Sequence, residues 1–193
     1  MKLCVFLTAV ICLWALPETA DKYAELKTKG IALLETGKYN EAINALQEVW
    51  EHEQSDPVVA EYLAMGHLYA DLDAERYLLL AEFSLNHGGA ASFLVQHPHE
   101  KVALLSGDLA DYCNGRLSIY SDRLVFTSNG ASQHSFTVPR GSLKEIKENR
   151  VYGSKRGMYH IRTSDKKNYN FRPRTWSEQE RKLILSLTEK HVK

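Results

Sequence analysis

From Gly115 to Phe171 apolar and polar residues alternate in short runs, the period of a sheet with one buried face. The runs are Gly115 to Phe126, His134 to Val138, Met158 to Arg162 and Asn168 to Phe171. Ser92 to Gln96 reads as an earlier strand, Leu143 to Lys147 returns to the sheet, and Arg150 to Tyr152 forms a hairpin with Met158 to Ile161. Its tip is Gly153-Ser-Lys-Arg-Gly157, and Ser128 to Ser132 is a turn. Pro173 stops the last strand; Thr175 or Ser177 then starts a helix, with Leu183, Ile184 and Leu187 on one face of Trp176 to Lys190. The pattern predicts about seven strands and one closing helix, a small bent sheet plugged by that helix. An open Greek-key barrel has similar periodicity.

The first half changes period. Leu26, Gly30, Leu33 and Leu34 recur at helical spacing between Tyr23 and Thr36, and Gly37-Lys38-Tyr39 interrupts them. Asn40 can cap a second helix carrying Ala42, Ile43, Leu46, Val49 and Trp50. Asp56-Pro57 separates it from a third, Glu61 to Tyr69, because proline suits a first turn. Ala74 to Leu85 makes a fourth, stopped at His87-Gly88-Gly89.

The mid-helix glycines Gly30 and Gly66 stand 36 residues apart, close to the period of a helical-hairpin repeat. With Leu26, Gly37-Lys-Tyr-Asn-Glu-Ala42-Ile43 and Leu46, the first hairpin resembles a tetratricopeptide (TPR) repeat. The second keeps Tyr62, Gly66 and Tyr69 but departs from the pattern over Arg76 to Phe83, as a degenerate or capping repeat would. The resemblance implies a groove for a protein or peptide, with Tyr39, Trp50, Tyr62 and Tyr69 as candidate contacts. Two hairpins are fewer than the three usually needed to bury a stacked core, so something must cover the open face. In the second half, Gly115-x-Leu-x-Ile-x-x-Asp-x-Leu-x-Phe126, Phe136-x-x-Pro139, Leu143-x-x-Ile146, Ile161 and Tyr169-x-Phe171 resemble bacterial pleckstrin-homology-like (PH-like) domains. That implies a docking module for proteins or lipids. The first-hairpin basic cluster of phosphoinositide-binding members is not recognisable here.

The expected class is therefore α+β: TPR-like hairpins over residues 21–91, then a PH-like antiparallel β-barrel or bent sheet with a capping C-terminal helix over residues 92–193. Residues 1–20 read as a signal peptide: Lys2, an apolar run from Leu3 to Leu16, then Ala20 as the preferred cut site. An uncleaved leader would leave a weak anchor. Past it Cys113 is the one cysteine, so no intrachain disulfide can form, and the chain has no Asn-x-Ser/Thr sequon. Both fit a bacterial envelope or periplasmic protein.

Charge divides the chain at the same place as periodicity. Asp21 to Ala91 holds 5 basic and 13 acidic residues, net −8; Ser92 to Lys193 holds 18 and 10, net +8. Either the halves attract each other or the basic half meets an anionic partner. Arg150, Lys155, Arg156, Arg162, Lys166 and Lys167 gather around one hairpin and the next turn, a candidate anion or lipid-headgroup site or a solvated, edge-protecting set. Overall net charge is zero, which argues against nucleic acid as a partner. His97-Pro98-His99, with His134 or Cys113, is a weak zinc pattern, more simply a strand end. No nucleophile elbow, zincin, phosphate-loop or dinucleotide motif is present, so the chain is expected to be non-enzymatic, without metal or cofactor. The expectation is a protein-interaction scaffold, with a peripheral membrane module as the alternative.

Overall fold

A computed structural model describes residues 17–98, 112–130, 134–149, 159–175 and 177–192. The helical half is α1 (Pro17–Glu35), α2 (Tyr39–His52), α3 (Pro57–Asp71) and α4 (Ala74–Asn86). Each helix packs on the next, and α1 also reaches α3. Gly37, at φ 81°, makes the left-handed turn that ends α1; its own N–H and that of Lys38 donate to the Leu34 and Leu33 carbonyls. Asp56 caps α3 by accepting from the Val58 and Val59 amides, with Pro57 in the first turn. Its side chain also meets Lys27 of α1 at 2.5 Å, tying the first hairpin to the second.

Seven strands follow among the described residues: β1 (Ala91–Pro98), β2 (Tyr112–Ile119), β3 (Arg123–Ser128), β4 (Phe136–Pro139), β5 (Leu143–Glu148), β6 (Tyr159–Thr163) and β7 (Asn168–Pro173). Helix α5 (Glu178–His191) is the last described element. The sheet is antiparallel and open, in the order β4-β3-β2-β1-β7-β6-β5. It curls strongly: Phe136 of one edge strand stacks on Tyr169 of β7, ring centroids 3.9 Å apart. Among the described residues, four N-terminal helices, an open seven-stranded antiparallel sheet and a C-terminal helix make an α+β fold.

One expectation is corrected. Gly115 to Phe126 is not one strand but β2 and β3, joined at Ser121-Asp122, where the Tyr120 N–H donates to the Arg123 carbonyl. Of the barrel and bent-sheet forms expected, the structure has the bent sheet, which stays open. Arg150 to Tyr152, the tip at Gly153 to Gly157 and Trp176 lie outside the described residues.

Inside the curl, one face of the strands is aromatic and aliphatic. Phe93, Val95, Leu117, Ile119, Leu124, Phe126, Tyr159, Ile161 and Phe171 are buried there. His97 joins this face, ringed by Phe126, Phe136 and Phe171, with its Nδ1 2.8 Å from the Asn170 carbonyl oxygen. Its register partner Cys113 is a buried thiol. Helix α5, capped by Ser177, packs on β2, β5 and β7 and also on α4. It buries Ile184, Leu187 and Arg181, the last ion-paired to Glu148 of β5 at 3.2 Å.

The halves share one apolar core. Buried residues of α2, α3 and α4 run without a break into those of β1 and α5. What covers the open face of the helical hairpins is therefore the sheet itself, chiefly β1.

Candidate functional site

The site begins with the register of β1, β2 and β3. Leu94 pairs with Arg116, and Arg116 with Thr127, so these three form one row across three strands. The row lies on the face opposite the aromatic interior. In an isolated sheet it would meet water, but here α3 and the end of α1 stand over it. Between them is a hollow of about 310 Å³. Half-buried Leu94, over fully buried Leu34 and Met65, supplies its apolar floor, and Tyr62, Arg116 and Arg174 its main polar groups; exposed Glu35 and Asn129 sit at its margin.

Arg116 is held on Tyr62. Its guanidinium lies 5.3 Å from the Tyr62 ring centre, and Nη1 donates to the Tyr62 hydroxyl. Burial disfavours its charge, but the Tyr62 oxygen and the carboxylates of Glu61 and Glu35 outweigh this and raise its pKa further. Arg174 follows β7 directly. Its backbone N–H donates to the Leu94 carbonyl at 3.0 Å, which places its exposed side chain at the rim.

Behind the hollow, polar groups lock the halves together. The Tyr69 hydroxyl of α3 donates to Glu180 Oε1 of α5 and accepts from the Leu94 N–H, both at 2.6 Å. Thr175 donates to the other Glu180 oxygen. Ser92 Oγ donates to Glu61 Oε1 at 2.5 Å and lies 2.7 Å from Ser118 Oγ. Tyr77 donates to the Ser92 carbonyl. Burial pushes Glu61 and Glu180 above the usual carboxylate range, partly countered by these donors. Burial, then Glu180, pushes the Tyr69 phenol well up. Lys190 meets Glu82 at 2.6 Å across the same boundary, in an exposed position.

Of the four aromatic residues predicted as contacts, Tyr62 lines this hollow. Tyr69 lies behind it, its hydroxyl committed to Glu180 and Leu94. Tyr39 packs on Tyr69 at 5.6 Å, and the two line a separate shallow hollow of about 280 Å³ beside Lys38 and Asn40. Trp50 packs edge-on against Phe83 at 5.0 Å. The four are therefore spread over three places. Among the predicted cations, Arg162 is exposed on β6, Lys166 occupies a turn at φ 68°, and Lys167 pairs with Asp165 at 3.1 Å. Arg150, Lys155 and Arg156, and His99 of the histidine pair, lie outside the described residues.

Arg116, Arg174, Glu61 and Glu180 were not singled out by sequence. Arg116 stands at an outward position of an alternating strand, where arginine normally reports only solvent. Nothing local announces that a helix from residues 57–71 covers it.

No protein-family model and no curated sequence matches the chain. Among solved structures, it is similar to the C-terminal domain of an unknown protein from Leishmania infantum, with 16% identity over 63% of this chain and 100% of that one, TM-score 0.41. It is also similar to the N-terminally truncated linker-DH/PH domains of a RhoGEF, with 8% identity over 88% of this chain and 69% of that one, TM-score 0.41.

Proposed function

We propose that this chain is a non-enzymatic protein-interaction scaffold of the cell envelope, built from TPR-like hairpins packed onto a PH-like domain and exported by its N-terminal segment. The observation that carries the reading is the hollow over the Leu94–Arg116–Thr127 row, a concavity of about 310 Å³ whose polar lining includes an Arg116 held on Tyr62 beside half-buried Leu94. It is formed by both halves, and the buried bonds behind it give it a set shape. A preformed concavity of this kind suits recognition of a peptide segment, because little ordering entropy is spent on binding.

The membrane reading is the weaker one. It draws on the basic hairpin, and of its described members Lys167 faces Asp165, which lowers the local positive charge. The test pairs a photo-crosslinking amino acid at Asn129, in native cells, with flotation on vesicles containing anionic lipid. Crosslinks to a protein with no vesicle binding are expected. Vesicle binding abolished by Lys166→Glu with Lys167→Glu, and no protein crosslink, would reverse the choice. Export is tested separately by fusing residues 1–22 to alkaline phosphatase, which is expected to be active only if carried out of the cytoplasm.

A further inference from the structure

We infer that the hollow between the helical half and the sheet recognises an acidic side chain of an extended peptide, flanked by an apolar residue. This rests on the interaction reading above and names its partner class. Three features converge. Half-buried Leu94 offers an apolar floor, backed by fully buried Leu34 and Met65, and Arg116 and Arg174 lie beside it. The Arg116 guanidinium is pinned over Tyr62 and stays charged, with N–H groups beyond the one given to the Tyr62 hydroxyl. A fixed, planar fork of this kind matches a carboxylate in two-point geometry.

Charge selects the class of anion. Among the lining residues the two arginines and Glu35 leave at most a net single positive charge, which the Glu61 carboxylate behind Arg116 lowers further. One carboxylate neutralises it. A phosphate, carrying about −1.5 to −2 at neutral pH, would overshoot it and meet Glu35 as well. The carboxylate ligand and its apolar neighbour are therefore favoured over a phosphopeptide or a lipid headgroup.

The experiment is selection of a randomised heptapeptide library with amidated C-termini against the full chain at low salt, followed by titration of a recovered peptide. Enrichment of Asp or Glu next to Leu, Ile or Met is expected. Arg174→Gln, at an exposed position, should leave the melting temperature unchanged and weaken the peptide at least tenfold. Glu35→Gln should tighten it a few-fold. Acetate and inorganic phosphate at matched ionic strength are the competitors. Phosphate displacing the peptide better than acetate overturns the carboxylate assignment. Recovered peptides that lack acids and ignore Arg174→Gln overturn the groove assignment while leaving the interaction reading standing. Failure to recover any peptide overturns the assignment too, and the crosslinking result then decides the broader reading alone.

Discussion

The two halves of this molecule close their cores in opposite ways. The sheet closes largely on itself: it curls until Phe136 meets Tyr169, and α5 seals it. The four helices do not. They stack in sequence and leave α3 and α4 facing outward, and β1 and α5 fill that face. The difference teaches that the helical half borrows stability from the sheet. Its second hairpin packs on β1, which covers the apolar face that α3 and α4 would otherwise leave open. It also explains why polar groups crowd the junction. A strand face that packs on helices still carries residues such as Ser92 and Arg116, and each must find a buried partner.

The most severe test of this contrast is Gly115→Val. A Cβ at Gly115 would lie 2.5 Å from both the Phe126 ring and the Thr127 carbonyl oxygen, and the latter is backbone. The expected loss is about 3 kcal/mol or more in denaturant unfolding. Because the core is shared, the helical half should unfold in the same transition. A helical signal surviving loss of the sheet would break the comparison. Next is Tyr69→Phe, which strips a donor from Glu180 and an acceptor from the Leu94 amide. It should cost about 2–3 kcal/mol, and less when combined with Glu180→Gln than the two single changes summed. Gly30→Ala pushes a methyl to within 2.6 Å of fully buried Leu46. It should cost about 1–2 kcal/mol, and hydrogen exchange should show faster opening in α1 and α2 before the sheet responds. Asp56→Ala removes the α3 cap and the Lys27 pair, for about 1 kcal/mol.

The smallest effect is a slope. Glu61 and Glu180 have folded pKa values raised above 4.5, so the folded chain holds protons that the unfolded chain releases. Their contribution to stability is thus full below the unfolded pKa and is lost as pH rises through the folded values. Asp56 and Glu82 act oppositely: burial raises them, but Lys27 and the capping amides, and Lys190 and His191, outweigh it, so their contribution is lost as pH falls. Glu61→Gln keeps an oxygen acceptor for Ser92 and should remove part of the decline above pH 4.5 in stability measured against pH.

Much of the fold was legible because local rules and global packing agree. Asp56-Pro57 starts a helix, Gly37 and the Gly88-Gly89 pair follow helix ends, and Ser177 starts α5. Gly30 and Gly66 proved to be contact points, but Gly66 faces Ile43 of the preceding helix. The break inside Gly115 to Phe126 was hidden because the link Tyr120-Ser121-Asp122 has no glycine or asparagine, and alternation resumes at Leu124 just beyond it. The site was nearly illegible. Tyr62 entered as a repeat residue and Arg116 only as a variable position in a strand motif, 54 residues apart, and their contact depends on which sheet face the helices cover.

What the sequence by itself determined is the order of helices and strands, the place where one period gives way to the other, and the change of charge that coincides with it. Those are set by neighbours a few residues apart, through side-chain periodicity, capping and backbone turns. Only the tertiary structure decided that the helices lie on the outer face of β1 and β2. That choice depends on which large apolar surfaces remain open after each half has folded, a property summed over both halves and carried by no single motif. It turned Arg116 from a solvent-facing residue into the wall of a groove, and Glu61 and Glu180 from ordinary helix acids into buried partners of serine, threonine and tyrosine.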